Sequence, residues 1–347
     1  MSRYYKIDLF APSNTGTTPD ETYTSFPNGK IDPNALTVEM DVTVVAFGAP
    51  DGSTNPYLRI WGIPLGTIYS AGKYNPKGNT LGYGISVYGG MQKGLPLADP
   101  SQAGLLFNGT VQQALGNWIE LDQTLDFYII AANTSALGRA PVNLSFNWKK
   151  GTPLGTAIQN TLKVAFPNYE VNVTGCKQIL NYDTPGYYEN VVQFADMIQE
   201  ITLAQGQEIY GPDYQGVKIW FTNKTFYVDD FTQPSPAPTA IAFKDLIGQP
   251  AWIDSVTLQF KCVMRYDLVV GSLITMPKGI YTTTQASNSF TQDQSIQFQG
   301  TFQITVIRHV GNSRQPDAAS WVTVFNAITK PVAAGDTSSL APVDENS

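Results

Sequence analysis

The stretch LTVEMDVTVVAF, residues 36–47, sets Leu36, Val38, Met40, Val42 and Val44 in alternation with Thr37, Glu39, Asp41 and Thr43. A strict period of two sends successive side chains to opposite faces, so this segment reads as a β-strand with one buried and one wet face. APDGSTNP (49–56) follows with turn chemistry, and YLRIWGIP (57–64) reads as the returning strand of a hairpin. Further short apolar or alternating runs lie at 85–90, 104–111 and 125–132, each bounded by Gly, Pro, Asn or Asp. Short strands at regular spacing imply a barrel or a sandwich. Composition agrees: 30 Gly, 23 Pro and only 14% charged residues in 347 suit turn-rich β structure better than helical bundles.

The period changes in the middle of the chain. In TPLGTAIQNTLKVAFP (152–167), Leu154, Ile158, Leu162 and Phe166 fall four apart, which predicts a helix with Thr152 as N-cap and Pro167 beyond its end. A second helix is predicted within 187–206, with Val191, Phe194 or Ala195, Ile198 and Ile201 as its apolar stripe and Gly206 as its C-cap. YEVNVTG lies between the helices, and GVKIWFTNKTFYVDDF reads as a hairpin turning near Thr222–Lys224. FTQPSPAPTAIAF (231–243) is a proline-rich connector. Beyond it, VTLQFKCVM (256–264) and FQITVIRHV (302–310) return to strand alternation.

The expected fold is therefore mainly β (α+β), with two antiparallel β-barrel domains flanking a small mixed α/β domain. The boundaries are 1–140 for the first β domain, 141–231 for the α/β domain with two helices, 232–330 for the second β domain, and 331–347 for a disordered tail. LTVEMDV and VTLQFKC share an apolar-Thr-apolar-polar-apolar-charged-apolar scheme. This suggests a duplication in which residues 36–47 and 256–264 take equivalent places.

A search for chemistry returns little. The sequence holds no nucleophile elbow, P-loop, zinc-protease motif, dinucleotide fingerprint or calcium loop. One histidine, His309, excludes a multi-histidine metal site or proton relay; beside Arg308 at a strand end, it reads as a structural or surface residue. Glu39 with Asp41, and Asp229 with Asp230, are carboxylate pairs of the kind a glycosidase uses, but charges on the polar face of a strand serve solubility alone. Trp61, Trp118, Trp148, Trp220, Trp252 and Trp321 could line a sugar cleft, although apolar surroundings make core packing the default. Cys176 and Cys262, far apart in sequence, read as two structural thiols, with a disulfide between them as the alternative. A net charge of −7 provides no global basic field, so no specific nucleic-acid binding is expected. The first residues, MSRYYKIDLF, lack the apolar core of a signal peptide, which points to synthesis in a cytoplasm.

Several phrases carry a resemblance: LRIWGIPL with SVYGGMQKGLPLADPSQAGLLFNGTVQQALGNW within 58–118, and TLKVAFPNYEV, VVQFADMIQEI and GVKIWF in the middle section. IGQPAWIDSVTLQFKCVMRYDLVVGSLITMPKG and ITVIRHVGNSRQPDAASWVTVFNA complete it. In these the chain resembles the baseplate hub proteins of contractile-tailed bacteriophages over most of residues 36–330. The resemblance implies a homotrimer whose two β-barrels per chain form a pseudo-sixfold ring, adapting a sixfold tail tube to a threefold spike. It implies the tail spike protein, a tail tube or tube-initiator protein and other baseplate proteins as partners, and a place in the virion, with DNA passing through the channel. No catalytic, cofactor-binding or metal-binding residue is expected, and no cofactor. Within RHVGNSRQPDAASW (308–321), Arg308, His309 and Arg314 are then left to meet a neighbouring subunit, line the channel, or stand as solvated loop charges. The alternatives are a carbohydrate-binding receptor-recognition tail protein and a glycosidase on a β scaffold.

Overall fold

The computed structural model describes residues 3–14, 16–47, 56–78, 80–91, 99–130, 143–167, 169–211, 214–222, 225–233, 237–277, 281–282, 295–296, 298 and 300–329. The tail at 331–347, most of the turn at 49–56, residues 223–224 and most of the segment leading to Phe302 lie outside them, as does part of the proline-rich connector.

The chain is mainly β. Its first part holds β1 (Arg3–Phe10), β2 (Glu21–Thr24), β3 (Thr37–Phe47), β4 (Tyr57–Trp61), β5 (Gly84–Met91), β6 (Gly104–Ile119) and β7 (Asp122–Ile130), with a short α1 (Leu65–Tyr69). The middle holds β8 (Leu144–Trp148), α2 (Leu154–Ala165), β9 (Glu170–Thr174), β10 (Thr184–Tyr188), α3 (Val191–Tyr210), β11 (Lys218–Thr222) and β12 (Thr225–Asp229). The last part holds β13 (Thr239–Ala240), β14 (Ala251–Trp252), β15 (Thr257–Val263), β16 (Leu273–Thr275), the small pair β17 (Tyr281–Thr282) and β18 (Ser295–Ile296), β19 (Thr301–Asn312) and β20 (Trp321–Thr329).

One continuous path of hydrogen-bonded neighbours runs β14-β15-β20-β19-β3-β4-β7-β6-β5-β1-β2. Among the described residues the pairings do not close either end of this path into a barrel. The alternation read at 36–44 is borne out in the pairing and burial of β3: Val38, Met40 and Val42 are buried, and β4 and β19 flank the strand. β1 has the same signature, with Tyr5, Ile7 and Leu9 buried, although the sequence reading assigns no strand there.

Buried apolar side chains form three clusters. The first draws on β1 and β3–β7, the second on β8–β12 with α2 and α3, and the third on β15, β16, β19 and β20. Both helices lie where their apolar spacing places them, but their ends differ from expectation. The α2 N-cap is Pro153, without a side-chain cap; Thr152 instead offers its carbonyl to Trp148 Nε1 at 2.8 Å. The α3 helix runs past Gly206 to a C-cap at Gly211, whose φ of 97° suits glycine, and it starts at Asn190, whose side chain accepts from Gln193 N–H. Gly206 is needed inside the helix because a Cβ there would stand 2.1 Å from the ring of Tyr214. The middle section docks through β11, whose Ile219 and Trp220 pair with Phe47 and Ala46 at the end of β3.

Candidate assembly site: a seam inside the chain and its bare strand edges

The first and last parts of the chain repeat one another in topology. In the first the path is β3-β4-β7-β6-β5-β1; in the last, with β16 on β19 and β13 on β16, it is β14-β15-β20-β19-β16-β13. Taken in chain order, the strands correspond one to one. The register repeats as well. Thr110 of β6 lies between Gly84 and Ile130, as Gln303 of β19 lies between Leu273 and Ile328. One residue interrupts each ladder shortly afterwards: Gln112 between Val111 and Gln113, and Thr305 between Ile304 and Val306. Tyr57 faces Tyr128 while Asp41 faces Tyr57, and correspondingly Gln259 faces Asn326 while Ala251 faces Gln259. One pair departs from the scheme, since β1–β5 is antiparallel and β13–β16 parallel.

The duplication is thus present, but not where the sequence pattern puts it. VTLQFKCVM, as β15, corresponds to β4, and the counterpart of β3 is β14. Equating residues 36–47 with 256–264 is off by one strand, because any half-buried strand satisfies that apolar-polar scheme.

The two parts meet along β3 and the second half of β19, from Val45 opposite Val306 to Glu39 opposite Asn312. RHVGNSR therefore lies on a seam. Arg308 forks onto Asp41, with Nε 2.7 Å from Oδ1. This pair is half exposed, and its hydrogen bond raises the Arg308 pKa. His309 is 3% exposed and its Nδ1 lies 3.0 Å from Thr323 Oγ1. Burial pushes its pKa down to about 4, so it is neutral at pH 7. Arg314 donates to the carbonyls of Pro33 and Ala35. From the other side of the seam, the buried Arg3 guanidinium donates to the carbonyls of Asn312, Gln315 and Asp317 at 2.5–2.6 Å. Arg308, His309 and Arg314 all make contacts within the chain: Arg308 is an exposed charge on strand β19, Arg314 an exposed loop charge tied to backbone carbonyls, and His309 a buried structural residue.

Trp321 begins β20. Its ring joins the first core, 2% exposed, and its Nε1 donates to Gly90 O at 2.9 Å. Gly311 makes room for it, since a Cβ there would lie 2.4 Å from the ring. A further polar contact between the two parts is that of Gln102 Nε2, which donates to Asp245 Oδ2 at 2.9 Å beside buried Arg265, which also pairs with Asp267 at 2.6 Å.

The other residues singled out in the sequence scatter. Asp229 accepts from Phe231 N–H and Asp230 from Cys176 N–H, so that pair terminates a strand. Cys176 and Cys262 are buried free thiols with pKa raised by burial. Trp148, Trp220 and Trp321 are buried, but Trp118 is 56% and Trp252 36% exposed, against the expectation of core packing. Both stand at unpaired edges. Beyond Thr110 the outer edge of β6 meets no strand among the described residues; Asn75 caps it at Ala114, and Leu115–Ile119 have no strand partner on that edge, with α1 packed on the face at Gly116, where a Cβ would lie 2.5 Å from Ile68 O. The outer edge of β14 is likewise open among the described residues. Leu115, Trp118, Ile119 and Leu121 are exposed at the first edge, and Trp252, Ile253 and Val256 at the second. No sequence signal marks these edges, because strand alternation does not tell a covered edge from a bare one.

No family model and no curated protein matches the sequence. Among solved structures, the 43 kDa tail protein of prophage MuSo2 from Shewanella oneidensis is similar at TM-score 0.49 and 9% identity, over 93% of this chain and 96% of that one. The tail protein from Neisseria meningitidis MC58 is similar at TM-score 0.48 and 9% identity, over 94% and 96%. The E. coli c3393 protein, a type VI secretion component described as similar to the T4 tail proteins gp27 and gp5, follows at TM-score 0.47 and 10% identity, over 85% and 73%.

Proposed function

We propose that this chain is a non-enzymatic structural protein of a phage tail baseplate or a related contractile injection machine. In this reading it is a hub whose three copies close into a ring between a sixfold tail tube and a threefold spike. Its domains are the four segments bounded at 140, 231 and 330, with the outer β segments acting as the ring elements. The observation that carries the reading is the internal repeat joined edge to edge by β3 and β19. A chain that displays one strand order twice, side by side, offers two near-equivalent ring positions, so a threefold assembly presents six. The resemblance of its sequence to baseplate hub proteins supports the same reading. Partners on this reading are the spike, a tube or tube-initiator protein and other baseplate proteins, and the location is the virion.

The test is the absolute mass of the purified protein by light scattering across a dilution series, with rotational averaging of electron micrographs. A three-chain particle with a near-sixfold ring is expected; a monomer or dimer at all concentrations overturns the reading. The exposed Trp118 and Tyr69 favour a second reading, glycan recognition by a tail protein. That reading requires glycan binding that a Trp118→Ala substitution abolishes.

A further inference from the structure

The internal seam predicts where a second seam must form. β3 corresponds to β14 and β19 to β6, so the contact between β3 and β19 has an unformed twin: β14 against the second half of β6. No one chain makes it among the described residues, since β3 already takes the place beside β19 and both twin edges are open. We propose that the β14 edge of one copy, residues 249–253, pairs antiparallel with the β6 edge of a second copy, residues 115–119, and that this contact closes the ring. The inference rests on the ring reading above and assigns its interface.

Carrying the register of the internal seam onto its twin sets Trp252 opposite Gly116, Ile253 opposite Leu115, Ala251 opposite Asn117 and Pro250 opposite Trp118. Three independent features fit this register. The first is hydrogen-bond direction. Ala114 turns its N–H and C=O to the outer edge, where Asn75 binds both, so Gly116 and Trp118 also turn outward. Ile253 N–H points inward to Thr257 O, so Trp252 and Pro250 present outward. Opposed residues in an antiparallel pair must both face the partner or both face away, and each of these pairs complies. Pro250 has no N–H to lose and can accept from Trp118.

The second feature is length. Asn75 stops the β6 edge at Ala114, and the Asp254 carboxylate, accepting from Val256 and Thr257 N–H, turns the chain at the residue that would face Ala114. Both edges end together. The third is surface chemistry. Leu115 stands in the place that Arg308 occupies in the internal seam, and Ile253 in that of Thr43, so two exposed apolar side chains, 39% and 50% accessible, would face each other. A partner strand would bury them along with Trp118 and Trp252.

Leu115→Cys combined with Ile253→Cys tests the register, because directly opposed residues of a non-hydrogen-bonded pair lie within disulfide reach. The native cysteines are buried and do not interfere. Under mild oxidation the double variant is expected to give a ladder of covalent oligomers ending at the ring, lost on reduction and absent from either single variant. Gln113→Cys with Ile253→Cys, two residues out of register, should stay at chain mass; cross-linking by this pair instead would overturn the register. Amide hydrogen exchange on the unmodified protein gives an independent reading: Gly116, Trp118 and Trp252 N–H should be protected in the assembled state and lose protection on dilution. An oligomer by light scattering with neither cross-links nor protection sinks this interface while leaving the ring standing. A monomer sinks both.

Discussion

The second half of β19 and the second half of β6 hold the same place in repeated units and differ in what covers them. β19 carries Arg308, His309 and Gly311 against β3, with an ion pair, a buried neutral imidazole and a packed indole along its length. β6 carries Leu115, Gly116 and Trp118 on an edge that no described strand covers. The seam inside the chain is made as the chain folds. It can enclose directional polar groups, because each partner is delivered in place by a tether. A seam between separate molecules has to form from surfaces stable in water, where non-directional burial of apolar area supplies most of the drive and backbone pairing fixes the register.

The sharpest way to break this comparison is to remove the indole that locks the internal seam. Trp321 reaches from β20 into the first core, so Trp321→Ala is expected to cost about 3–5 kcal/mol, read as a lowered urea midpoint. The loss should uncouple the first and last parts, giving two transitions by fluorescence and circular dichroism in place of one. A single, barely shifted transition would mean that the seam contributes little to the fold.

Next in size is a pH effect. His309 has a folded pKa near 4 against an ordinary value of 6.5, because burial disfavours the imidazolium. Above pH 6.5 it is neutral in both folded and unfolded chains and costs nothing. As pH falls from 6.5 toward 4 the unfolded chain takes up a proton that the folded one refuses, so stability declines by up to about 3 kcal/mol. Subtracting the profile of His309→Gln from that of the parent isolates this term from the carboxylates that titrate lower. A flat difference across that window would show that the imidazole charges in place.

How much of this could be read beforehand follows from the range of each interaction. The strand at 36–47 and the two helices declare themselves through local periodicity. The duplication shows as a rhythm but is assigned one strand out of step, because the counterpart of the eleven-residue β3 is a two-residue β14 with no alternation to read. Gly206 looks like a cap until Tyr214 is seen against it. The roles of Arg3 and Arg314 have no local signal at all. Their partners are backbone carbonyls about 280 or more residues away in sequence, and a carbonyl carries no side-chain identity to search for. Trp118 and Trp252 look like any core aromatic, since exposure depends on which strand comes alongside.

The smallest effect concerns Arg308 and Asp41, the most visible contact on the internal seam. Its fork geometry is good, yet both side chains are about half exposed, so water competes for the same atoms and salt screens the attraction. A double-mutant cycle with Arg308→Ala and Asp41→Ala should give a coupling below about 1 kcal/mol that shrinks further in high salt. On the proposed second seam Leu115 fills the equivalent place on β6 with no charge, so the shared geometry does not call for an ion pair. Replacing Arg308 with Leu, to copy the other edge, should therefore leave the unfolding midpoint within that same small margin. A much larger loss would show that the two edges are related in topology only, and that the charged pair holds β3 in register.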